Sequence, residues 1–400
     1  MSPRRVLTIV AIAELLAMAP WFSASAVAPA LVGHWHLDRS GASWLTISVQ
    51  LGFVVGAFAS AALTLSDAFS ARRLIAVSAG LAGAATAAVA IAPGPAAGMA
   101  LRFVTGAALA GVYPPGMKLV AGWFRDARGA AIGIVVGALT LGSASPHLVR
   151  WALPTDAWRS VIVTAAALAV VGGLLVLIVP NDGPFAGRAP AFSWSAVPRL
   201  LRERAILLAN LGYLGHMWEL YAMWTWIAAF VAASERARGV ADPGGIPALA
   251  AFATIASGAV GCWAGGKAAD RYGRTRVTSL AMAVSGSCAL AVGLLFARPI
   301  PVLALLLLVW GVSIVADSAQ FSTAVSELAP ADLVGTALTL QTCLGFLLTC
   351  LTIYALPLVA EAIGWRWTMA VLALGPALGA WAMLTLRRRP EAARLAGGRG

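Results

Sequence analysis

The sequence contains few charged residues. Asp, Glu, Lys and Arg make up 11% of its 400 residues, hydrophobic residues make up 60%, and the mean hydropathy is +0.86. A soluble globule of this size would have too little polar surface to cover itself. The composition therefore excludes an ordinary soluble protein and predicts a chain that crosses a membrane several times.

Cysteine is also scarce, with four residues in the chain. All four lie in apolar stretches without the spacing of metal ligands, so we expect packing residues, no disulfide and no metal site. The chain also lacks His-Glu-x-x-His, Gly-x-Ser-x-Gly and paired loop aspartates, which are typical of hydrolases and transferases. A membrane-embedded enzyme is therefore only a minor alternative, and no cofactor is expected.

Apolar runs account for most of the chain. A helix needs about 20 residues to cross the roughly 30 Å of hydrocarbon in a bilayer. The twelve runs of suitable length are residues 6–32, 43–65, 74–92, 97–120, 129–151, 160–179, 205–232, 246–265, 277–297, 302–325, 334–358 and 366–386. They predict an all-α membrane protein with twelve transmembrane helices and short loops, none long enough for a separate soluble domain.

Positive charges are distributed unevenly over these loops. With the N-terminus inside, most of the 28 lysines and arginines fall on the cytoplasmic side, as the positive-inside rule requires. We therefore expect a multi-pass protein of the plasma (inner) membrane with both termini in the cytoplasm. The first run begins like a signal peptide, but Glu14 interrupts it and its apolar character continues to Val32, so a transmembrane span is predicted.

The net charge of +12 does not indicate a nucleic-acid partner. The basic residues are spread over short loops and do not form one folded face with interleaved aromatic residues. Contacts with lipid headgroups of the bilayer are the expected role of these charges.

The chain repeats itself about halfway along. Asp67 corresponds to Asp270, and the Trp158-Arg159 pair corresponds to Trp365-Arg366. A proline-rich loop with six charged residues lies between the copies and indicates a flexible linker. We therefore predict four segments, which are a six-helix bundle at residues 1–179, a cytoplasmic linker at 180–204, a second six-helix bundle at 205–386 and a basic tail at 387–400.

A charged turn follows the eighth run. Its sequence, GGKAADRYGRTR, contains Gly266, Asp270, Arg271, Gly273 and Arg274, and a weaker copy after the second run keeps Asp67, Arg72 and Arg73. A carboxylate here can accept hydrogen bonds from the free amides at the start of a neighbouring helix. The arginines can hold acids or helix C-termini on the same rim, so these residues are candidate gating groups, unless they serve only to orient the helices.

In this motif, and in Arg102-x-x-x-Gly106 of the fourth run, the chain resembles the major facilitator superfamily over nearly its whole length. The resemblance implies two six-helix bundles related by a pseudo-two-fold axis around a central cavity. It also implies alternating access, with the charged turn acting as a latch that favours the outward-facing state. A partial match to the antiporter pattern in the fifth run lacks its Gly-Pro pair, so antiport does not follow.

The resemblance implies that the first, fourth, seventh and tenth spans line the cavity, and each carries a polar stripe at helical spacing. The candidate substrate and coupling residues are Glu14, Trp21, Arg102, Tyr113, His216, Glu219, Asp317 and Gln320. An ionisable group in hydrocarbon costs at least about 2.5 kcal/mol, so four such spans indicate function. The structural alternative is that Arg102 and Glu219 neutralise each other. Tyr221 and Trp224 point away from the His216 face and are predicted to be packing residues.

The sequence therefore predicts a secondary active transporter, functional as a monomer, for a small organic solute and coupled to protons. The excess of buried acids over Arg102 favours a cationic or neutral solute, or a small monoanion held by Arg102. Export of a drug-like or toxic metabolite and uptake of a nutrient both remain open at this point.

Overall fold

The computed structural model describes residues 1–124, 128–154, 156–187 and 192–400, without the side chains of residues 39, 66, 67 and 128. The regular secondary structure of these residues is helical throughout. Ten described segments are long and apolar enough to cross a membrane: Ser40–Ala62, Ala71–Val89, Pro95–Trp123, Gly129–Ala152, Trp158–Val176, Ile246–Tyr272, Arg274–Leu295, Ile300–Leu328, Val334–Ile363 and Trp365–Arg387.

The first and seventh predicted spans are not among these ten segments, but both are helical. The first is made of three helices, Pro3–Ala17, Ser23–Ala26 and Ala28–Trp35, and the seventh is one helix, Arg204–Ala237. The described chain thus contains the twelve predicted spans, which are numbered here in chain order. The seventh and eighth helices continue several residues beyond their apolar runs, because polar residues can continue a helix once it has left the hydrocarbon.

Three of the four spans that were predicted to line the cavity are broken near their centres. The first is interrupted between Ala17 and Ser23, the fourth after Leu109, and the tenth at Asp317. Pro20 lies in the first break, and two prolines lie in the first turn that follows the second break. Proline cannot donate a backbone hydrogen bond and tolerates the start of a helix, which accounts for two of the three breaks.

Helix packing repeats with a shift of six spans. Spans 1 and 6, 2 and 4, and 3 and 6 are in contact, and so are spans 7 and 12, 8 and 10, and 9 and 12. Between the halves, span 5 packs on span 8 and span 2 packs on span 11. This arrangement is that of two six-helix bundles related by a pseudo-two-fold axis, so the predicted fold class is confirmed.

Close packing within the first bundle depends on glycine. A Cβ atom at Gly52 would lie 2.0 Å from the carbonyl oxygen of Phe103, and one at Gly56 would lie 2.3 Å from that of Ala107. Small residues let the backbones of spans 2 and 4 approach closely, which is how helices associate tightly in a membrane.

The N-terminus, the linker and residues 390–400 lie on one side of the molecule, called here the terminal face. The linker was expected to be flexible, but its described parts are bonded to helix ends. Asp182 accepts a hydrogen bond from the amide of Ala71 at 3.0 Å, and the amide of Phe185 donates to Gly122. The linker then forms a short helix, Val197–Arg202, before span 7 begins.

The C-terminal segment also packs on the terminal face. Leu395 is fully buried, and the amide of Ala396 donates to Glu327 at 3.0 Å. The amide of Thr275, in the first turn of span 9, donates to the carbonyl oxygen of Gly400. Residues that were predicted only as a basic tail thus cap a helix that starts at the charged turn.

Candidate functional site

Glu219 lies near the middle of span 7 and is 1% exposed. Both of its carboxylate oxygens are bonded by side chains of the second bundle. Trp310 of span 10 donates its indole N–H to Oε1 at 2.7 Å, and Ser285 of span 9 donates its hydroxyl to Oε2 at 2.9 Å. Ser285 was not among the predicted site residues, because a serine in an apolar run gives no signal of its own.

His216 lies one helical turn before Glu219 and faces the break in span 10. Its Nδ1 atom is 2.9 Å from Oδ1 of Asp317, and both side chains are almost fully buried. The ring and the carboxylate are in close contact, although Oδ1 of Asp317 has no hydrogen bond of regular geometry. The Nε2 atom of His216 has no hydrogen-bond partner.

Three titratable side chains therefore meet between spans 7, 9 and 10. We call His216, Glu219 and Asp317, with the donors Ser285 and Trp310, the coupling cluster. Sequence reasoning predicted these three titratable residues but considered Arg102 as the partner of Glu219, which is bonded within the second bundle instead. Such groups are rare inside membrane helices and mark ion or proton pathways. The cluster therefore brings three titratable side chains together between spans 7, 9 and 10, with neutral donors on the carboxylate of Glu219.

Glu14 is the buried acid of the first bundle, with 1% of its surface exposed. Its Oε1 atom has no hydrogen-bond partner. A Cβ atom at Gly116 of span 4 would lie 2.7 Å from Oε2, so the glycine leaves room for the carboxylate. Tyr113, at the start of the same helix, is within electrostatic range of Glu14. Glu14 thus lies against span 4, and its role as a cavity residue stays a prediction.

Arg102 has different partners from those the sequence suggested. It is fully buried, and it donates to the carbonyl oxygens of Pro20 at 2.7 Å, of Trp21, and of Leu45 at 3.4 Å. A further bond goes to the hydroxyl of Ser23 at 3.3 Å. The guanidinium thus caps the carbonyl groups exposed by the break in span 1, and it forms no ion pair with Glu219, whose oxygens are bonded elsewhere.

Six aromatic side chains pack together where the two bundles meet. We call them the aromatic core; they are Trp21, Phe22, Phe53, Tyr221, Trp224 and Phe346. Their ring centroids are 4.5 to 6.0 Å apart, the usual range for aromatic pairs. Tyr221 and Trp224 do face away from His216, as predicted. They point toward the first bundle.

The charged turn between spans 8 and 9 is centred on Arg274. Its guanidinium forms two bonds with Glu327, at 2.9 and 2.7 Å, one with Oε1 of Gln320 at 2.8 Å, and a longer ion pair with Asp270 at 3.5 Å. Gln320 was predicted to face the cavity, but it lies just after the break in span 10 and accepts from Arg274. Glu327 was not predicted, since nothing local marks an acid at a helix end as an arginine partner.

Asp270 connects this group to the other bundle. Its Oδ2 atom lies 3.7 Å from the position of a Cβ atom at Gly129, in the first turn of span 5. A carboxylate is favourable at the positive end of a helix. We call Asp270, Arg274, Gln320 and Glu327 the latch. It places one charged contact between the bundles at the terminal face.

The other candidate gating residues lie around the latch. Arg271 packs over the ring of Tyr272, and Gly273 adopts a φ of +95°, a conformation that favours glycine. Gly266 has open space around it. In the first bundle, Arg72 donates to the carbonyl oxygen of Val179, whereas Arg73 is exposed. The side chain of Asp67 lies outside the described residues.

The latch can be tested with Glu327→Gln. The change removes the charge that faces Arg274 and should shift the population toward a state open at the terminal face. Spin labels at Phe69 and Lys267, both exposed on that face, should report longer distances in a background without native cysteines. Glu391→Gln is the control, because Glu391 pairs only with Arg389 at 3.2 Å. An unchanged distance distribution in Glu327→Gln would contradict the assignment.

Comparisons with known proteins agree with this architecture. The sequence profile of the Major Facilitator Superfamily matches residues 10–353. No curated protein sequence matches the chain. Solved structures share its fold at low sequence identity, so they inform on the fold alone, and three of them are described next.

The first is a bacterial homolog of the human lysosomal transporter Spinster in an inward-facing, unoccupied conformation, with a TM-score of 0.75, 13% identity and coverage of 97% of this chain and 99% of that chain. The xylose transporter XylE from E. coli has a TM-score of 0.73 and 14% identity over 96% of this chain and 97% of its own. The human organic anion transporter MFSD10 (TETRAN) has a TM-score of 0.72 and 17% identity over 96% of this chain and 100% of its own.

Proposed function

The chain belongs to the Major Facilitator Superfamily, and from this premise we propose that it moves a small organic solute by alternating access, coupled to protons. Family membership already decides between the two classes that the sequence left open, since it makes the chain a secondary transporter and not an enzyme. We infer in addition that a proton gradient supplies the energy and that the residues of the coupling cluster carry the proton.

The coupling cluster is the observation that carries this proposal. Glu219 and Asp317 are 1% and 2% exposed, and ionisable groups kept inside membrane helices mark ion or proton pathways. Each must exchange its proton with one face or the other when the bundles move. His216 lies beside Asp317 with a free Nε2 atom, so it can pass on the proton that the acid releases. Glu14 provides a second acid across the interface.

The contacts of Arg102 argue against an anionic solute. Its guanidinium donates to three carbonyl oxygens and one hydroxyl of the first bundle, and so it offers little to a carboxylate. Of the solutes considered from the sequence, this arrangement favours the neutral and cationic ones over a monoanion bound at Arg102.

The proposed movement is a rocking of the two bundles against each other. Residues 1–179 and 205–386 form the two bundles that rock against each other, residues 180–204 connect them, and residues 387–400 brace the second. The latch between Asp270 and span 5 would close the terminal face in one of the two states. We place this face in the cytoplasm of a cell whose plasma (inner) membrane holds the protein as a monomer, because most of the basic loops lie there.

Purified protein in liposomes tests the proposal. The vesicles contain the pH-sensitive dye pyranine, and a panel of neutral, cationic and anionic organic solutes is added outside, one at a time. We expect at least one neutral or cationic solute to change the pH of the lumen, with no change in protein-free vesicles. An imposed pH gradient should drive accumulation of that solute, and an uncoupler should abolish it. Accumulation that is insensitive to the uncoupler would overturn proton coupling.

A further inference from the structure

Gln50 of span 2 is fully buried, and neither its carboxamide oxygen nor its nitrogen has a hydrogen-bond partner. A carboxamide offers two donor hydrogens and two acceptor lone pairs. Burying such a group unpaired in a membrane protein is costly, so a ligand or another conformation is expected to satisfy it. None of the functional groups described above involves this residue.

The neighbours of Gln50 show where it points. Four residues earlier, Thr46 forms a 2.7 Å hydrogen bond with Ser25 of span 1, and three residues later, Phe53 packs on the ring of Trp21 at 4.9 Å. At about 100° per residue, Thr46, Gln50 and Phe53 share a helix face about 60° wide. Gln50 therefore faces span 1 at the level between these two contacts, beside the aromatic core.

Two further unpaired donors belong to the aromatic core itself. The indole N–H groups of Trp21 and Trp224 are both buried and without a hydrogen-bond partner. Trp21 is in the first bundle and Trp224 in the second, and the ring contacts Trp21–Tyr221 and Phe22–Trp224 cross the interface. The unpaired polar atoms thus lie on both bundles, around a cluster of rings where the two bundles meet.

We propose that Gln50, Trp21 and Trp224 are the recognition groups of a ligand site between the bundles, and that its ligand is a flat, uncharged organic molecule with an amide-like edge. The carboxamide of Gln50 pairs with a neighbouring donor and acceptor on the ligand, and the indoles donate to its remaining acceptors. The rings of the aromatic core separate and take the flat ligand between them. The inference rests on the proposed function, since it names the class of solute.

The charges around the site exclude an ionic ligand. Arg102 is occupied by main-chain carbonyls of span 1, and Glu219 by Trp310 and Ser285. Glu14 has an unpaired oxygen, but its carboxylate lies against Gly116 of span 4, where a Cβ atom would be 2.7 Å from Oε2. A charged ligand beside Gln50 would therefore be buried without a counter-ion, which is far more costly than burying a neutral one.

A matched series of compounds tests the proposal on the purified full-length protein. The three probes are 2-naphthamide, 2-naphthoate and 2-naphthylmethylammonium, which have the same ring system and differ in charge. Binding is measured by isothermal titration and by quenching of tryptophan fluorescence. We expect 2-naphthamide to bind at least about tenfold more tightly than either ion. Equal or tighter binding of naphthoate or of the ammonium compound would overturn the proposal.

Gln50→Leu separates recognition from folding. The variant removes an unpaired polar group, so its melting temperature should stay equal or rise, while its affinity for 2-naphthamide should fall about tenfold. The matched control is Gln341→Leu on span 11. Gln341 donates to Asn210 at 3.0 Å, so the control should lower the melting temperature and leave the affinity unchanged.

Unchanged affinity for 2-naphthamide in Gln50→Leu would overturn the assignment of Gln50. The result is independent of the transport assay. Preferential binding of 2-naphthamide without proton-coupled transport would refute the proposed function but support the proposed ligand site. Proton-coupled transport of other solutes, with no preference for 2-naphthamide, would support the proposed function but refute the ligand site.

Discussion

Replacing Glu219 by glutamine should abolish proton-driven accumulation of solute and leave exchange of solute across the membrane intact. Glutamine has the shape of glutamate but cannot release a proton. Its carbonyl oxygen can still accept from the Trp310 indole, and the hydroxyl of Ser285 can turn to accept from the new NH₂ group. The variant should therefore fold, and its defect should be limited to coupling.

The assay compares uphill transport, driven by a pH gradient, with counterflow of labelled solute at equal pH. Asp317→Asn should behave like Glu219→Gln, because asparagine cannot take up or release the proton of the carboxyl group that lies 2.9 Å from His216. Glu235→Gln is the control. Glu235 is a fully buried acid of the same helix, but it pairs with Arg238 at 2.5 Å near the helix end, so its replacement should leave accumulation in place. Normal accumulation in both Glu219→Gln and Asp317→Asn would refute the proton role of the cluster.

Replacing Arg102 by alanine should destabilise the protein more than any other single change discussed here. The change leaves the carbonyl oxygens of Pro20, Trp21 and Leu45 without their buried donor and creates a cavity in the first bundle. An unsatisfied buried acceptor costs about 1 to 3 kcal/mol, so the three together should cost at least about 3 kcal/mol. The melting temperature and the yield of folded protein should both fall markedly.

The double variant Arg102→Ala, Glu219→Gln decides between the two partners considered for Arg102. If the arginine caps the break in span 1, the second change should recover none of the lost stability, because the two side chains share no contact. Recovery of a large part of the loss would instead support an Arg102–Glu219 pair in some state of the protein. Arg366→Ala is the control. Arg366 also donates to a carbonyl oxygen, that of Gly293 at 3.2 Å, but it is exposed, and its loss should cost much less.

Several parts of the site were accessible from sequence because the membrane makes polar residues conspicuous. An acid or a histidine inside an apolar run costs free energy unless it has a partner or a function, and Glu14, His216, Glu219 and Asp317 were identified on that basis. Their burial in the structure agrees with it. The same reasoning could not find Ser285 or Gln50, since a single uncharged polar residue is tolerated in many helices.

For Gln320 and Arg102 the sequence did not reveal the partner. Both lie on polar stripes of predicted cavity helices, and both form hydrogen bonds with groups of neighbouring segments. Gln320 accepts from Arg274 in the latch, and Arg102 binds the main chain of span 1. A polar stripe is a property of one helix. The partner of a side chain depends instead on which groups of the adjacent helix lie at the same depth in the membrane.

Hydropathy, loop charge and repeated motifs were enough to predict a chain that lies in a membrane, crosses it twelve times and consists of two related halves, because these signals depend only on neighbouring residues. The partners of the charged side chains became known from the folded protein: carbonyl groups for Arg102, Glu327 for Arg274, and Trp310 with Ser285 for Glu219. Helix breaks and interhelical packing bring together groups that lie far apart in the chain, and no local pattern specifies which side chain faces which helix break.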